Sequence, residues 1–192
     1  VFTGGKMSAA GHVDPSNKKV ALLIAVLALL LAFSETFGKS AQTEALSRNI
    51  EASNLWSFFQ AKTIRMTTLR TAAEQLELQL ASATGEAKQA IAKRIDDWRK
   101  AASRYDSEPD TGEGRKELAQ RAKAAEATRD RSLAAYHQYE TASAALQIAI
   151  VLASAEVITG AGFLLWASMG LGVLGLLFTA LGFFAPTAIH LF

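Results

Sequence analysis

The chain has no cysteine, which excludes disulfide staples, thiolate nucleophiles and cysteine-ligated metals. Proline is scarce, at Pro15, Pro109 and Pro186, so nothing breaks a helix across 40–83. Net charge is only +2, too little for the basic face that nucleic acid requires. The three histidines, His12, His137 and His190, do not pair at metal-ligand spacing. No serine stands in a nucleophile-elbow context. The glycines of "TGEGRKEL" (111–118) precede Arg115 and Lys116, but the spacing is not that of a phosphate loop and no strand leads into it. Acid pairs such as Asp96 and Asp97 fall on a solvated helix face. The expectation is a protein that is not an enzyme, with no catalytic residue, metal or cofactor.

What the sequence does contain is segregation. Half of the residues are hydrophobic and a fifth are charged, yet 20–33 and 144–192 carry almost no charge while 40–140 carries most of it. Acids and bases nearly balance in that middle block, as on a salt-bridged helical surface. Met7 opens a run that reads as a natural start, so 1–6 are set aside, and 1–17 read as a flexible tail. The run "VALLIAVLALLLAF" comes after Lys18 and Lys19. It is shorter than the roughly 20 residues a bilayer core needs. Extension to Gly38, with Glu35 at headgroup level and the lysines snorkelling, makes 18–38 a first transmembrane helix. A signal peptide is the rival, but no clean small-residue cleavage site comes after the run.

Between 40 and 83 a heptad seam runs through Leu55, Phe59, Lys62, Met66, Leu69, Ala73, Leu76 and Leu80, with Lys62 its one polar member. A break is expected at 83–86 and a loop at 106–114, "DSEPDTGEG". Helical pattern resumes between and after them. At 1.5 Å per residue the ascending arm is roughly 65 Å long, and the two descending pieces together match it. Residues 39–141 therefore read as a long antiparallel coiled-coil hairpin that protrudes from the membrane. Trp56 and Phe59 can face inward together while Phe58 points elsewhere. Leu55, Trp56, Phe58, Phe59, Lys62, Met66 and Leu69 then form a candidate interface between arms or subunits.

The last third reads as two further spans, 142–167 and 171–192, joined by a turn at 168–170. One carries Ala142, Ala145, Ala149, Ala153, Glu156 and Gly160 in a four-and-three rhythm. The other carries Ser168, Gly172, Gly175, Thr179, Gly182 and Pro186. Small residues in lipid mark close helix contact, so Ala149, Ala153, Gly160, Gly172 and Gly175 form a candidate packing stripe. Glu156 lies on it, facing protein. A turn near Met169 would set Glu156 at the depth of Gly182, whose carbonyl loses its usual donor to Pro186. In its protonated form Glu156 could donate there or to Thr179. Glu156, Thr179, Gly182 and Pro186 are thus a candidate intramembrane polar site, serving as polar glue or as an ion or proton relay.

"EASNLWSFFQAKTIRMTTLRTAAEQLE" (51–77), "RYDSEPDTGEGRKEL" (104–118), Ile158-Thr159-Gly160 and "GFFAPTAIHLF" (182–192) resemble the bacterial family catalogued as domain of unknown function 4337. Its members share an N-terminal span, an "ASxxWxxxQAKxI" segment, a coiled helical region and two C-terminal spans. The resemblance covers nearly the whole chain from about Met7. It implies a bacterial inner-membrane protein and implies no activity.

The fold class expected is an all-α membrane protein with three transmembrane helices and a protruding hairpin. Lys18 and Lys19 favour a cytoplasmic N-terminus. Lys39, Arg48, Arg121, Lys123, Arg129 and Arg131, on the hairpin side, favour a cytoplasmic hairpin, and together they outweigh the pair. The function expected is a homo-oligomeric scaffold in membrane lipid, with a channel-like oligomer around Glu156 or an accessory subunit of a larger membrane complex as the alternatives.

Overall fold

The computed structural model describes residues 15–188, with side chains from Lys18. The expected tail before Pro15, Met7, His12 and His190 lie outside the described residues. Within them the chain forms four helices and no strand: α1 (Pro15–Leu80), α2 (Gly85–Asp106), α3 (Arg115–Thr159) and α4 (Gly162–Phe184). Three of these, α1, α3 and α4, include stretches long and apolar enough to cross a membrane. Two compact units are formed, one by Thr43–Ser132, the other by the described parts of Val1–Gln42 and Leu133–Phe192.

α1 is one helix of 66 residues, so no break separates the apolar 18–38 from the polar residues beyond it. Gly38 sits within it, and a lone glycine costs a long helix only about 1 kcal/mol. Likewise α3 runs unbroken through the expected boundary at 141–142. The break after Leu80 falls at 81–84, and Gly85, the first residue of α2, adopts φ +61°.

The turn expected at 168–170 is not there. α4 passes straight through those residues, and the chain reverses at Gly160–Ala161 instead. Gly160 has φ +66°, and its N–H donates to the Glu156 carbonyl at 2.8 Å. That left-handed residue with a single i→i−4 bond is a common way to end a helix, and only glycine enters it without a Cβ penalty. Ser168 is instead fully buried inside α4, donating from Oγ to the Ala149 carbonyl of α3 at 2.7 Å. Two boundaries move with the turn. The second apolar helix stops at Thr159, and α4 ends at Phe184, leaving Pro186 outside it.

The unit holding α4 is a three-helix packing. Leu27 of α1 and Leu146 and Ala149 of α3 make its core, with Leu23, Leu30, Leu31, Ile150 and Leu171 around them. Ser34 and Tyr139 meet further along, so α1 and α3 run antiparallel. A Cβ on Gly172 would strike the Leu27 side chain, one on Gly175 the Leu146 side chain and the Ala142 carbonyl, and one on Gly182 the Tyr139 ring. Glycine leaves notches on α4 that the Leu27, Leu146 and Tyr139 side chains fill, the close contact that draws helices together in lipid.

In the Thr43–Ser132 unit, rising numbers on α1 meet falling numbers on α3 and α2. Trp56 Nε1 donates to Glu126 Oε1 at 2.9 Å, Lys62 lies 3.7 Å from Glu113, and Glu77 pairs with Arg99. Leu55, Leu118 and Ala122 form the core, with Trp56 and Phe59 packed on it edge to face. The α2–α3 junction, 107–114, is held by charge. Asp106 binds both Arg115 (2.8 Å) and Lys116 (2.9 Å). Glu117, in the first turn of α3, reaches back to accept from Ser107 Oγ at 2.6 Å and Glu108 N–H at 3.2 Å. Gly114 has no room for a Cβ beneath that carboxylate.

These contacts hold three carboxylates below their ordinary range. Lys116 and then Arg115 do so for Asp106, Arg104 for Glu108, and Ser107 with nearby backbone N–H groups for Glu117, each against some opposing burial. A depressed acid stabilises the fold fully above its unfolded pKa and loses that contribution as pH falls through the folded value. Hydrogen-exchange protection at Gly112 and Leu118 should therefore hold steady from about pH 5 to pH 8 and drop below about pH 4. Protection that instead fell between neutral and pH 5 would contradict this account. In the other unit, Gly175→Ala should lower thermal stability in detergent by about 1–3 kcal/mol through overpacking. Gly170→Ala, where a Cβ meets nothing, should be neutral or gain up to about 1 kcal/mol of helix propensity. Circular dichroism melts of the two variants check the contrast.

Candidate functional site

Between α1 and α3 the helical packing leaves an open groove of about 450 Å³. Its floor is set by Ser34, which is fully buried and donates to the Tyr139 carbonyl at 3.0 Å. Gly38 faces Tyr139, and a Cβ added there would come within 3.3 Å of the Tyr139 Cβ, tighter than an ordinary contact. The walls are polar. α1 contributes Glu35, Lys39 and Gln42, on successive turns of one face. α3 answers with Glu140, Ser143 and Gln147.

Two bonds organise these groups. Gln147 Nε2 donates to Glu35 Oε1 at 3.2 Å, across the groove. Tyr136 OH donates to Glu140 Oε1 at 3.4 Å, and His137 Nδ1 stands 3.7 Å from Glu140 Oε2. Depth sets this groove apart from an ordinary surface cleft. Leu146, next to Gln147, lies against Gly175, just past the midpoint of the apolar α4. Side chains on a helix lean toward its N-terminus, so Gln147 reaches along α3 to Glu35. Glu35 itself lies about half a turn inside Phe37, whose ring is 6.2 Å from Phe183 at the end of α4. A carboxylate and an amide thus stand alongside apolar helix rather than beyond it.

Glu156 is placed differently. It occupies the last turn of α3, three residues before Thr159. Gly182 packs on Tyr139, and residue 156 is 17 positions further along α3, about 25 Å away. The expected meeting of Glu156 with Gly182 or Thr179 does not occur. Thr179 bonds instead to the Gly175 carbonyl at 2.8 Å. Val20 is one heptad before Leu27, and Glu156 is one heptad after Ala149, so Glu156 is level with the Lys18–Val20 end of α1. Its Oε2 is buried without a hydrogen-bond partner among the described residues.

One family, described as a domain of unknown function, DUF4337, matches residues 16–185. The chain belongs to the DUF4337 family. No curated protein and no solved structure matches it.

Among the remaining candidate residues of this DUF4337 protein, Ala149 and Ala153 are buried, as are Gly172 and Gly175. Gly160 is exposed at the reversal, apart from the contact stripe. Of the arm residues, Leu55 and Met66 are buried, and Trp56, Phe59, Lys62 and Leu69 are half-buried on the same face. Lys62 stays in that face because its ammonium lies 5.4 Å from the Tyr105 ring centroid as well as near Glu113. Phe58 is exposed. The sequence patterning did not point to Ser34, Gln147 or Glu140. Gln147 as an isolated amide in an apolar run was the signal available, but its partner Glu35 is 112 residues distant.

Removing the buried hydroxyls tests how far this packing depends on them. Ser34→Ala and Ser168→Ala should each cost about 0.5–1.5 kcal/mol in detergent unfolding. The two losses should add, because the hydroxyls serve different carbonyls.

Proposed function

We propose that this protein is a non-enzymatic, three-pass component of the bacterial inner membrane. In this reading 43–132 forms a protruding antiparallel coiled-coil hairpin on the cytoplasmic side, and copies of the chain assemble into a scaffold through these arms. The observation that carries it is a second apolar face on α1. The first face, Leu55, Met66 and Ala73 among others, is covered by α2 and α3. On the opposite side Leu46, Ile50, Ile64 and Leu78 are 53–78% exposed. They are spaced by 4, 14 and 14 residues, with polar Ser57 and Thr71 between Ile50, Ile64 and Leu78, so an apolar residue returns to this side at every second heptad. Scattered surface leucines need no explanation. A row in heptad register on a helix already packed behind is the kind of surface a second copy covers.

A channel-like oligomer with Glu156 on its path is the second reading. The buried, unpartnered Oε2 favours it; the residue's place in the last turn of α3, away from mid-helix, weighs against it. An accessory role beside a larger complex would show as foreign mass in the particle.

The detergent-solubilised particle should weigh a whole multiple, above one, of the 20.5 kDa chain. Ile64→Asp should reduce it to a single chain with helical content unchanged, and Glu156→Gln should leave it assembled. An unaltered protein that already runs as one chain ends the proposal.

A further inference from the structure

The groove between α1 and α3 has a lining that selects among ligands. It presents two carboxylates, Glu35 and Glu140, and one ammonium, Lys39, with Gln42, Ser143 and Gln147 as uncharged donors and acceptors. A bare cation is disfavoured by Lys39, and a bare anion by the two acids. A ligand that carries both signs a few ångströms apart meets all three. The volume, about 450 Å³, falls in the range of small-molecule sites. The groove also opens beside apolar helix: Leu31 and Ile150, one turn from Glu35 and Gln147 respectively, are partly buried aliphatic side chains packed on the Leu27–Leu146 core, and Ile148 and Val151, one turn from Ala144 and Gln147, are exposed. A charged headgroup above and hydrocarbon below is the shape of a phospholipid.

We propose that this groove binds the headgroup of a zwitterionic phospholipid bearing a primary ammonium, phosphatidylethanolamine in chemical class. The ammonium donates to Glu35 and Glu140, and the phosphate accepts from Lys39 with help from Ser143 or Gln42. Charge-assisted hydrogen bonds of this kind are about twice as strong as neutral ones. They also separate an ammonium from a trimethylammonium, which has no N–H to donate. Along α3 itself, Tyr136 donates to one Glu140 oxygen and His137 stands near the other. The proposal rests on the membrane reading of the chain, and deepens it by naming a lipid.

The test is native mass spectrometry of the full chain in detergent, titrated separately with dioleoyl phosphatidylethanolamine, phosphatidylcholine and phosphatidylglycerol, and with soluble phosphoethanolamine. Phosphatidylethanolamine should be retained about tenfold better than either other lipid. Phosphoethanolamine should bind more weakly than the lipid, because it lacks the chains; equal binding would make the site one for the free zwitterion and overturn the lipid assignment. Glu35→Gln and Lys39→Gln alter exposed side chains, so helical content should persist while the preference falls by about tenfold, the loss of one charge-assisted bond. Equal retention of the three lipids, or a preference untouched by both variants, overturns the proposal. A chain that stays dispersed in buffer without detergent refutes the membrane reading itself. One that needs detergent yet shows no lipid preference refutes only the headgroup site.

Discussion

Close approach at three glycines governs the helical packing around α4. Gly172, Gly175 and Gly182 leave no space for a side chain against Leu27, Leu146 and Tyr139. Among apolar helices, hydrophobic driving force between them is absent where lipid tails are as apolar as leucine, so contact quality decides the arrangement. Three knobs that fit three notches admit one register. A slide of one turn along α4 would set at least one of Leu27, Leu146 and Tyr139 against a residue that carries a side chain. Ser168, bonded to the Ala149 carbonyl, adds a polar lock at the same helix pair.

That register determines where the polar groups come to rest. It carries Glu35 and Gln147 to one side of the α1–α3 contact and lets them bond. It sends Glu156 to the end of α3, level with the lysines that precede the first apolar run. The two acids of the apolar helices are therefore in different circumstances. Glu35 shares a groove with a lysine, an amide and a second acid. Glu156 sits within about one turn of Gly160, where the chain leaves the helix. Of the two, the groove around Glu35 offers the richer chemistry, since several groups of both signs converge on one space.

The Thr43–Ser132 unit solves a different problem with charge. Its helices are rich in alanine and polar residues, so the core available is small: Leu55, Leu118, Ala122 and the Trp56–Phe59 pair. Orientation comes from specific polar contacts, Trp56 to Glu126, Lys62 to Tyr105 and Glu113, Asp106 to Arg115 and Lys116. Exposed ion pairs add little stability individually. Their value at 107–114 is geometric, because they fix how the chain crosses from α2 to α3 over a glycine that cannot be replaced by a larger residue.

Helix content, the apolar stretches and the breaks near 83 and 110 were legible in the sequence, because each depends on composition or on a period of three to four residues; of the small-residue faces, Ser168, Gly172, Gly175 and Gly182 are buried while Gly160 lies off the contact. Membership of the DUF4337 family was legible from local motifs for the same reason. The place of the last turn was not: "TGAG" at 159–162 and "SMG" at 168–170 both supply small residues, and only packing reveals that Ser168 is needed inside a helix while Gly160 is free to turn left-handed. Moving that turn by about eight residues shifted every depth assigned to Glu156, since an antiparallel pair converts a turn error into twice that offset along the partner. The groove was illegible for a related reason. Its residues come from positions more than 100 apart, and nothing local to Glu35 or Gln147 says that they meet. Periodicity chose the faces; side chains of distant helices seated in glycine notches chose which polar groups would share a space.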